Sequence, residues 1–308
     1  MEQGLADWVE ASPDGEIMDR QRDATCFQNA FEANKFGLTL PYHDLTSLPN
    51  CLEHLLALKT FDLDGNNLLT LPPSLPPKLS ALFVSRNGLQ ELPELPVTLV
   101  ALSATDNALK KLPRLPDTLT WIALDYNHLT TLPELPQKLE ELDMSHNLLE
   151  EFPVLPPKLI SFSPAHNPAK LLPLIPACIK FLGADKSQFE TTINSRKNEL
   201  YALTVAVQGQ GQLPAAQFPA RTRQPTKTAW TKAGDLQDIP NDLILHISAQ
   251  FAPGSTDAKN LAESSRHFDE ILQNYPDAHG RIATLQEQIG ILEKHYKIRA
   301  DSGAFRDE

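Results

Sequence analysis

Leu119-Thr-Trp-Ile-Ala-Leu-Asp-Tyr-Asn127-His-Leu-Thr-Thr-Leu-Pro-Glu-Leu-Pro136 is one turn of a repeating unit. Its asparagine returns as Asn66, Asn87, Asn107, Asn127, Asn147 and Asn167, at spacings of 20 or 21 residues, each time within L-x-x-L-x-L-x-x-N-x-L-x-x-L-P-x-L-P. A period in this range predicts a solenoid, because a unit so short buries its apolar face only by stacking on its neighbours. Two columns point inward: Leu58, Leu79, Leu99, Leu119, Leu139, Leu159 and Ile179, and Phe61, Leu82, Leu102, Ile122, Leu142, Phe162 and Leu182. Those starting at Leu68 and Leu71 add two more ridges. The asparagines form a ladder, their amides satisfying backbone groups of the adjoining turns.

Strand centres are expected near Leu63, Val84, Ala104, Leu124, Met144 and Pro164. Pro164 has no N–H and forfeits one ladder bond. Paired prolines after each asparagine, as in Leu112-Pro113-Arg114-Leu115-Pro116, exclude a convex helix and favour extended backbone. Leu38-Thr-Leu40 opens an atypical first coil with Asp44 in the asparagine position, and the stack is expected to end near Ala184 and Ser187. Residues 16–36 read as a helical cap whose apolar face is Met18, Cys26, Ala30 and Phe31.

Composition narrows the function classes. The 308 residues are 41% hydrophobic, with no apolar run of the roughly 18 residues a membrane span requires. A net charge of -12 argues against a nucleic-acid partner held by phosphate neutralisation. Cys26, Cys51 and Cys178 match no C-x-x-C pattern, so neither a zinc site nor a disulfide framework is indicated. The start, Met1 to Trp8, has neither the basic nor the apolar region of a Sec signal peptide. No Walker loop, G-x-S-x-G or nucleophile–base pair occurs, and no enzyme, metal or cofactor is expected. His146 and His166 hold equivalent positions of adjacent coils but lack a third ligand.

The Leu and Asn spacing is that of a leucine-rich repeat. The expected fold class is therefore an α/β solenoid with short parallel strands on its concave face. Its parts are a helical cap at 1–36, repeats at 37–190 and a capping helix with linker at 191–234. A helical unit at 235–275 and an amphipathic helix with tail at 276–308 complete the chain. Side chains alternating with the inward leucines point to the concave face. Asp62, Phe83, Trp121, Asp125, Tyr126, Asp143 and Phe181 are the target-binding candidates, with Asp64, Ser85, Asp106, Glu141, His146 and Asp185 on the same face. Exposed aromatics there suit hot spots, and the carboxylates suit a basic partner. Trp121 covering only a neighbouring coil is the competing explanation.

Four features carry a family resemblance: the short coil with doubled Leu-Pro, Leu45-Thr-Ser-Leu48-Pro49-Asn-Cys51-Leu52, Asn66-Asn67-Leu68-Leu69-Thr70-Leu71-Pro72, and a preceding helical segment with Trp8, Arg22 and Ala24. Together they resemble the repeat domain of the IpaH/YopM class of bacterial type III effectors. That resemblance implies secretion without a Sec signal, action in the host cytoplasm, and a host protein bound on the concave repeats. IpaH-type members add a ubiquitin-ligase domain with a cysteine closely followed by aspartate. Here Cys178 is followed by Ile179 and Lys180, with no cysteine after it, so the thiolate such a ligase needs is missing.

Ile239-Pro240-Asn-Asp-Leu243-Ile244-Leu245-His-Ile247, then Asp257, Leu261, Ser265, Arg266, Phe268 and Leu272, resembles an F-box. The resemblance implies that Ile239, Pro240, Leu243, Ile247 and Leu261 contact the Skp-type adaptor of an SCF ubiquitin ligase, making the chain a substrate receptor. An ordinary helical hairpin gives the same apolar periodicity, and a YopM-like scaffold that sequesters host signalling proteins is the alternative. Ile282, Leu285, Ile289, Leu292 and Tyr296 alternate by three and four residues, and this helix is expected to pack on the F-box-like hairpin.

Overall fold

The computed structural model describes residues 1–12, 17–209 and 277–305. The F-box-like stretch, including Ile239, Pro240, Leu243, Ile247 and Leu261, lies outside the described residues. The chain divides into two compact units, one of Met1–Ile193 with Gly290–Glu308 and one of Asn194–Ile289.

The first unit is an eight-stranded parallel sheet in sequence order. Its strands are β1 (Gly37–Thr39), β2 (Thr60–Asp62), β3 (Ala81–Phe83), β4 (Ala101–Ser103), β5 (Trp121–Ala123), β6 (Glu141–Asp143), β7 (Ser161–Ser163) and β8 (Phe181–Leu182). In-register pairing aligns Leu38, Phe61, Leu82, Leu102, Ile122, Leu142, Phe162 and Leu182 in one buried column. The Leu58-to-Ile179 column is buried as well. Strand centres thus fall two residues before the expected positions. Leu63, Val84, Leu124 and Met144 are still buried and still donate into the ladder, for example Leu63 N–H to Phe83 O at 2.8 Å. The regular strand stops there because the residue before each asparagine turns left-handed: Arg86, Asp106, Tyr126, His146 and His166 all have φ between 51° and 56°.

Each asparagine bridges two coils. Asn127 donates to Ala104 O and Leu124 O at 2.8 and 3.0 Å and accepts from Leu109 N–H at 3.0 Å. The pattern repeats from Asn66 to Asn167. In the first coil the asparagine position belongs to His43, not Asp44, because Leu38 pairs with Phe61 and sets the register. His43 cannot serve as a ladder amide, and its Nδ1 instead meets the buried carboxylate of Asp23 at 2.8 Å.

The cap is two helices, α1 (Glu2–Glu10) and α2 (Ile17–Glu32). The face α2 buries is Arg20, Asp23, Phe27 and Ala30; of the expected apolar face Ala30 is buried and Cys26 packs half-buried against the core, while Phe31 is exposed. Met18 is 81% exposed. Apolar periodicity misled here because the cap docks partly through polar groups. Arg20 donates to Trp8 O and Thr46 Oγ1, and Trp8 Nε1 donates to Ser47 Oγ. Phe27 then meets Trp8 and Phe61 edge-on, sealing the first coils.

From the second coil onward the convex side carries no helix among the described residues; each coil closes with a turn such as Leu119 N–H to Pro116 O. Cys178 is hydrogen-bonded through Sγ to Pro157 O and Leu159 O, as Thr118 Oγ1 is to Val97 O and Leu99 O. Pro164, lacking its N–H, coincides with the thinning of the sheet. Beyond it β8 has two residues, and His166 N–H is accepted by the Asp185 carboxylate rather than a carbonyl.

Helix α3 (Lys186–Gly209) follows the last strand, burying Phe189 and Ile193 at the end of the solenoid. The final helix, α4 (Ala278–Asp301), was expected to pack on the F-box-like hairpin, which lies outside the described residues. From Gly290 on it belongs to the solenoid unit, where Leu292 joins the core and the rings of Tyr296 and Phe305 lie 5.9 and 6.2 Å from Phe189. Tyr296 O–H also donates to Glu190. The 3.5-residue apolar period was read correctly, but a period does not name its partner. Within the second unit, Arg281 pairs with Glu199 at 2.7 Å and Arg196 donates to Gln288. Burial lowers the Arg196 pKa to about 10.

Candidate protein-binding face

Residues alternating with the buried column line the concave side in rows fixed by the strand register. One row runs Thr60, Ala81, Ala101, Trp121, Glu141, Ser161, Phe181; the next runs Asp62, Phe83, Ser103, Ala123, Asp143, Ser163. Trp121 and Phe83 are two strands apart, yet their ring centroids are 6.4 Å apart at 52°. They meet because β4 between them offers only Ala101 and Ser103. Beneath, the Ser103 and Ser85 hydroxyls are hydrogen-bonded at 2.7 Å and buried. Both rings stay partly exposed, and no larger side chain covers them from the intervening strand.

Carboxylates surround this aromatic pair. Asp62 adjoins Phe83 and Glu141 adjoins Trp121, one strand away in each case. Asp143 lies on the far side of Ala123. Asp125 accepts from Thr105 Oγ1, and Asp143 accepts from both N–H and O–H of Ser145. Burial pushes the Asp143 and Asp64 carboxyls above the usual carboxylate range, only partly opposed by those hydrogen bonds and by Ser85 N–H on Asp64. Arg86 Nη1 donates to the Tyr42 hydroxyl oxygen at 3.1 Å, and its charge partly offsets the burial of Asp64.

Tyr126 does not share the strand rows with Trp121. It sits on the rim, left-handed and 52% exposed, with its ring stacked on His146 at 4.0 Å and 10°. His146 stacks in turn on His166 at 4.1 Å, and His166 Nδ1 lies 3.6 Å from Asp185. Burial and then the neighbouring His166 lower the His146 pKa. The equivalence of His146 and His166 was legible in the repeat; the three-ring stack was missed, although aromatics immediately before three successive ladder asparagines were the available signal. Phe181 stands apart at the last strand, half exposed, its ring over Gly183 where a Cβ would sit 3.0 Å away.

Among the described residues no group of three His, Cys, Asp or Glu side chains could hold a metal ion, and no helix is long and apolar enough to cross a membrane. The convex side breaks its own pattern in the last coils: the position held by Ser74, Glu94, Arg114 and Glu134 becomes Val154, 90% exposed, and Leu174.

Residues 57–79 match the Leucine Rich Repeat family model. No curated protein matches the chain. Among solved structures, the leucine-rich-repeat domain of a Shigella effector is 27% identical with a TM-score of 0.51, the match covering 61% of this chain and 87% of that one. The leucine-rich effector protein YopM of Yersinia pestis is 30% identical with a TM-score of 0.51 over 59% of this chain. The chain spans 58% of that YopM. The protein thus carries leucine-rich repeats in a solenoid whose structural neighbours include bacterial effectors.

Proposed function

We propose that this chain is a bacterial effector acting as a substrate receptor in the host cytoplasm. Its repeats hold a host protein on the concave face. Its F-box-like stretch docks on the Skp-type adaptor of an SCF ubiquitin ligase, so that host enzymes perform the chemistry and this chain performs none. The observation that carries the binding half is the Phe83–Trp121 pair, partly exposed at the centre of a face built around small residues. Leaving two large rings in water is unfavourable and marks a contact surface. The likeness to Shigella and Yersinia effectors supports the same assignment.

Adaptor docking is supported by the Ile239, Pro240, Leu243, Ile247 and Leu261 pattern alone. The test is capture of purified Skp-type adaptor by the full chain. Wild type is expected to retain the adaptor, and Pro240→Ala combined with Leu243→Ala is expected to lose it with an unchanged circular-dichroism spectrum. A wild-type chain that fails to retain the adaptor, or a double variant that retains it equally, refutes the receptor assignment. The YopM-like scaffold, to which the 30% identity lends weight, then takes its place.

A further inference from the structure

The concave face has a chemistry specific enough to name what it takes. Phe83 and Trp121 meet above Ala101 and the buried Ser103, and their partly exposed rings, tilted at 52° with centroids 6.4 Å apart, form the two walls of a trough. Asp62 borders it on one side and Glu141 on the other, with Asp143 just beyond. A purely aliphatic side chain would cover the rings but desolvate the carboxylates without compensation, and an anion would be repelled. A lysine ammonium satisfies the charge but stays strongly hydrated and covers little ring. A guanidinium is planar and weakly hydrated, stacks on aromatic faces and pairs bidentately with carboxylate.

Resting on the assignment of the concave face to a protein partner, we propose that this trough binds an arginine side chain in a basic segment of that partner. The strand spacing sets the pattern of that segment. Asp62 on β2 and Glu141 with Asp143 on β6 each lie two strands from β4, about 9–10 Å at the usual inter-strand distance, or about three residues of extended chain. The favoured segment therefore carries a central arginine with further basic residues about three positions before and after it. Asp143 fits this assignment twice over: it is fixed by Ser145, and burial has already raised the free energy of its charged form, which a guanidinium relieves.

The probe is a fluorescein-labelled peptide of glycines with three arginines spaced three apart, titrated into the full chain at low ionic strength and followed by anisotropy. Replacing the central arginine with citrulline, which keeps the shape and removes the charge, is expected to weaken binding about tenfold, as are Trp121→Ala and Asp143→Asn. Trp121→Phe should recover part of the loss, and Glu134→Gln on the convex side should change nothing. Equal binding of the citrulline peptide, unchanged binding by Trp121→Ala, or no binding by wild type overturns the proposal. A photo-reactive residue in place of Ala123, compared with one in place of Glu134, separates the two levels. Partner adducts at the Ala123 position without peptide binding leave the concave-face assignment standing and sink the arginine; adducts at neither position, again without peptide binding, sink both.

Discussion

Replacing ladder asparagines with alanine should cost more at the first rung than in the middle, for a reason visible in the hydrogen bonds. Ala104 O accepts from Asn107 as well as Asn127, and Leu124 O accepts from Asn147 as well as Asn127. Asn127→Ala therefore leaves both carbonyls with a partner and orphans one buried donor, Leu109 N–H. An orphaned buried donor costs about 1–3 kcal/mol and each lost shared bond about 0.5–1 kcal/mol, so Asn127→Ala should destabilise by about 3 kcal/mol. Asn66 has no rung before it, since His43 fills that position. Its amide is the partner of Leu40 O among the described bonds, and its oxygen takes both Leu45 N–H and His43 N–H. Asn66→Ala thus orphans an acceptor that is 1% exposed along with two donors, for about 5 kcal/mol.

Urea unfolding followed by far-ultraviolet circular dichroism gives the two values. Hydrogen exchange at the Leu45 and Leu109 amides locates the damage, because repeat arrays open locally as well as globally. Equal costs for the two variants, or a larger cost for Asn127→Ala, would refute the idea that shared carbonyls buffer the inner rungs.

Gly65 has φ 67°, and a Cβ there would clash with the Tyr42 ring, so Gly65→Ala should destabilise by about 1–2 kcal/mol and abolish the Arg86–Tyr42 bond, which a melting curve and the Tyr42 ring resonances will show. Tyr126→Gly relieves a left-handed side chain at the cost of one exposed stack, and the melting temperature should stay level or rise slightly; a marked fall would give the stack a structural role. His146 has a lowered folded pKa, so the fold prefers it neutral and loses stability as pH falls through the unfolded value near 6.5; His146→Gln should flatten the stability profile between about pH 7 and 5. Asp143 has a raised folded pKa, so its charge disappears earlier on acidification. Arginine-peptide affinity should accordingly begin to fall above the ordinary carboxylate pKa, and Asp143→Asn should remove that limb of the titration.

The solenoid core was legible because one column of side chains serves one purpose in every coil. Leu82, Leu102, Ile122 and Leu142 each face the same interior, and repetition amplifies a signal that any single strand of three residues would carry weakly. The parts that resisted are those where the repeat stops averaging. At the N-terminus the pattern Met18, Cys26, Ala30 and Phe31 was the apolar one, yet Arg20 and Asp23 are buried beside Phe27 and Ala30, because docking a helix on polar turn groups rewards guanidinium and carboxylate donors and acceptors as well as methyls. At the C-terminus the helix carrying Leu292 showed its apolar stripe but not the surface receiving it.

The concave face lies between these extremes. Inward leucines announce which residues alternate with them, so Phe83 and Trp121 were placed on one surface from spacing alone. Their contact was not legible, because it depends on what the intervening strand lacks. Ala101 and Ser103 would be unremarked in any scan for functional residues, yet a leucine at either position would fill the trough and separate the rings. The same logic divides the aromatics by role. Trp121 and Phe83 sit on strands whose backbone is locked by ladder bonds on both sides, which makes them pre-organised anchors with little entropy to lose on binding. Tyr126 sits at a left-handed turn beyond the strand, its face already occupied by His146. A partner reading this surface meets a rigid, negatively bordered centre first and a stacked rim second. Substitutions in the two places should therefore separate: those at the centre change affinity for basic peptides, and those at the rim change how the stability of the fold depends on pH.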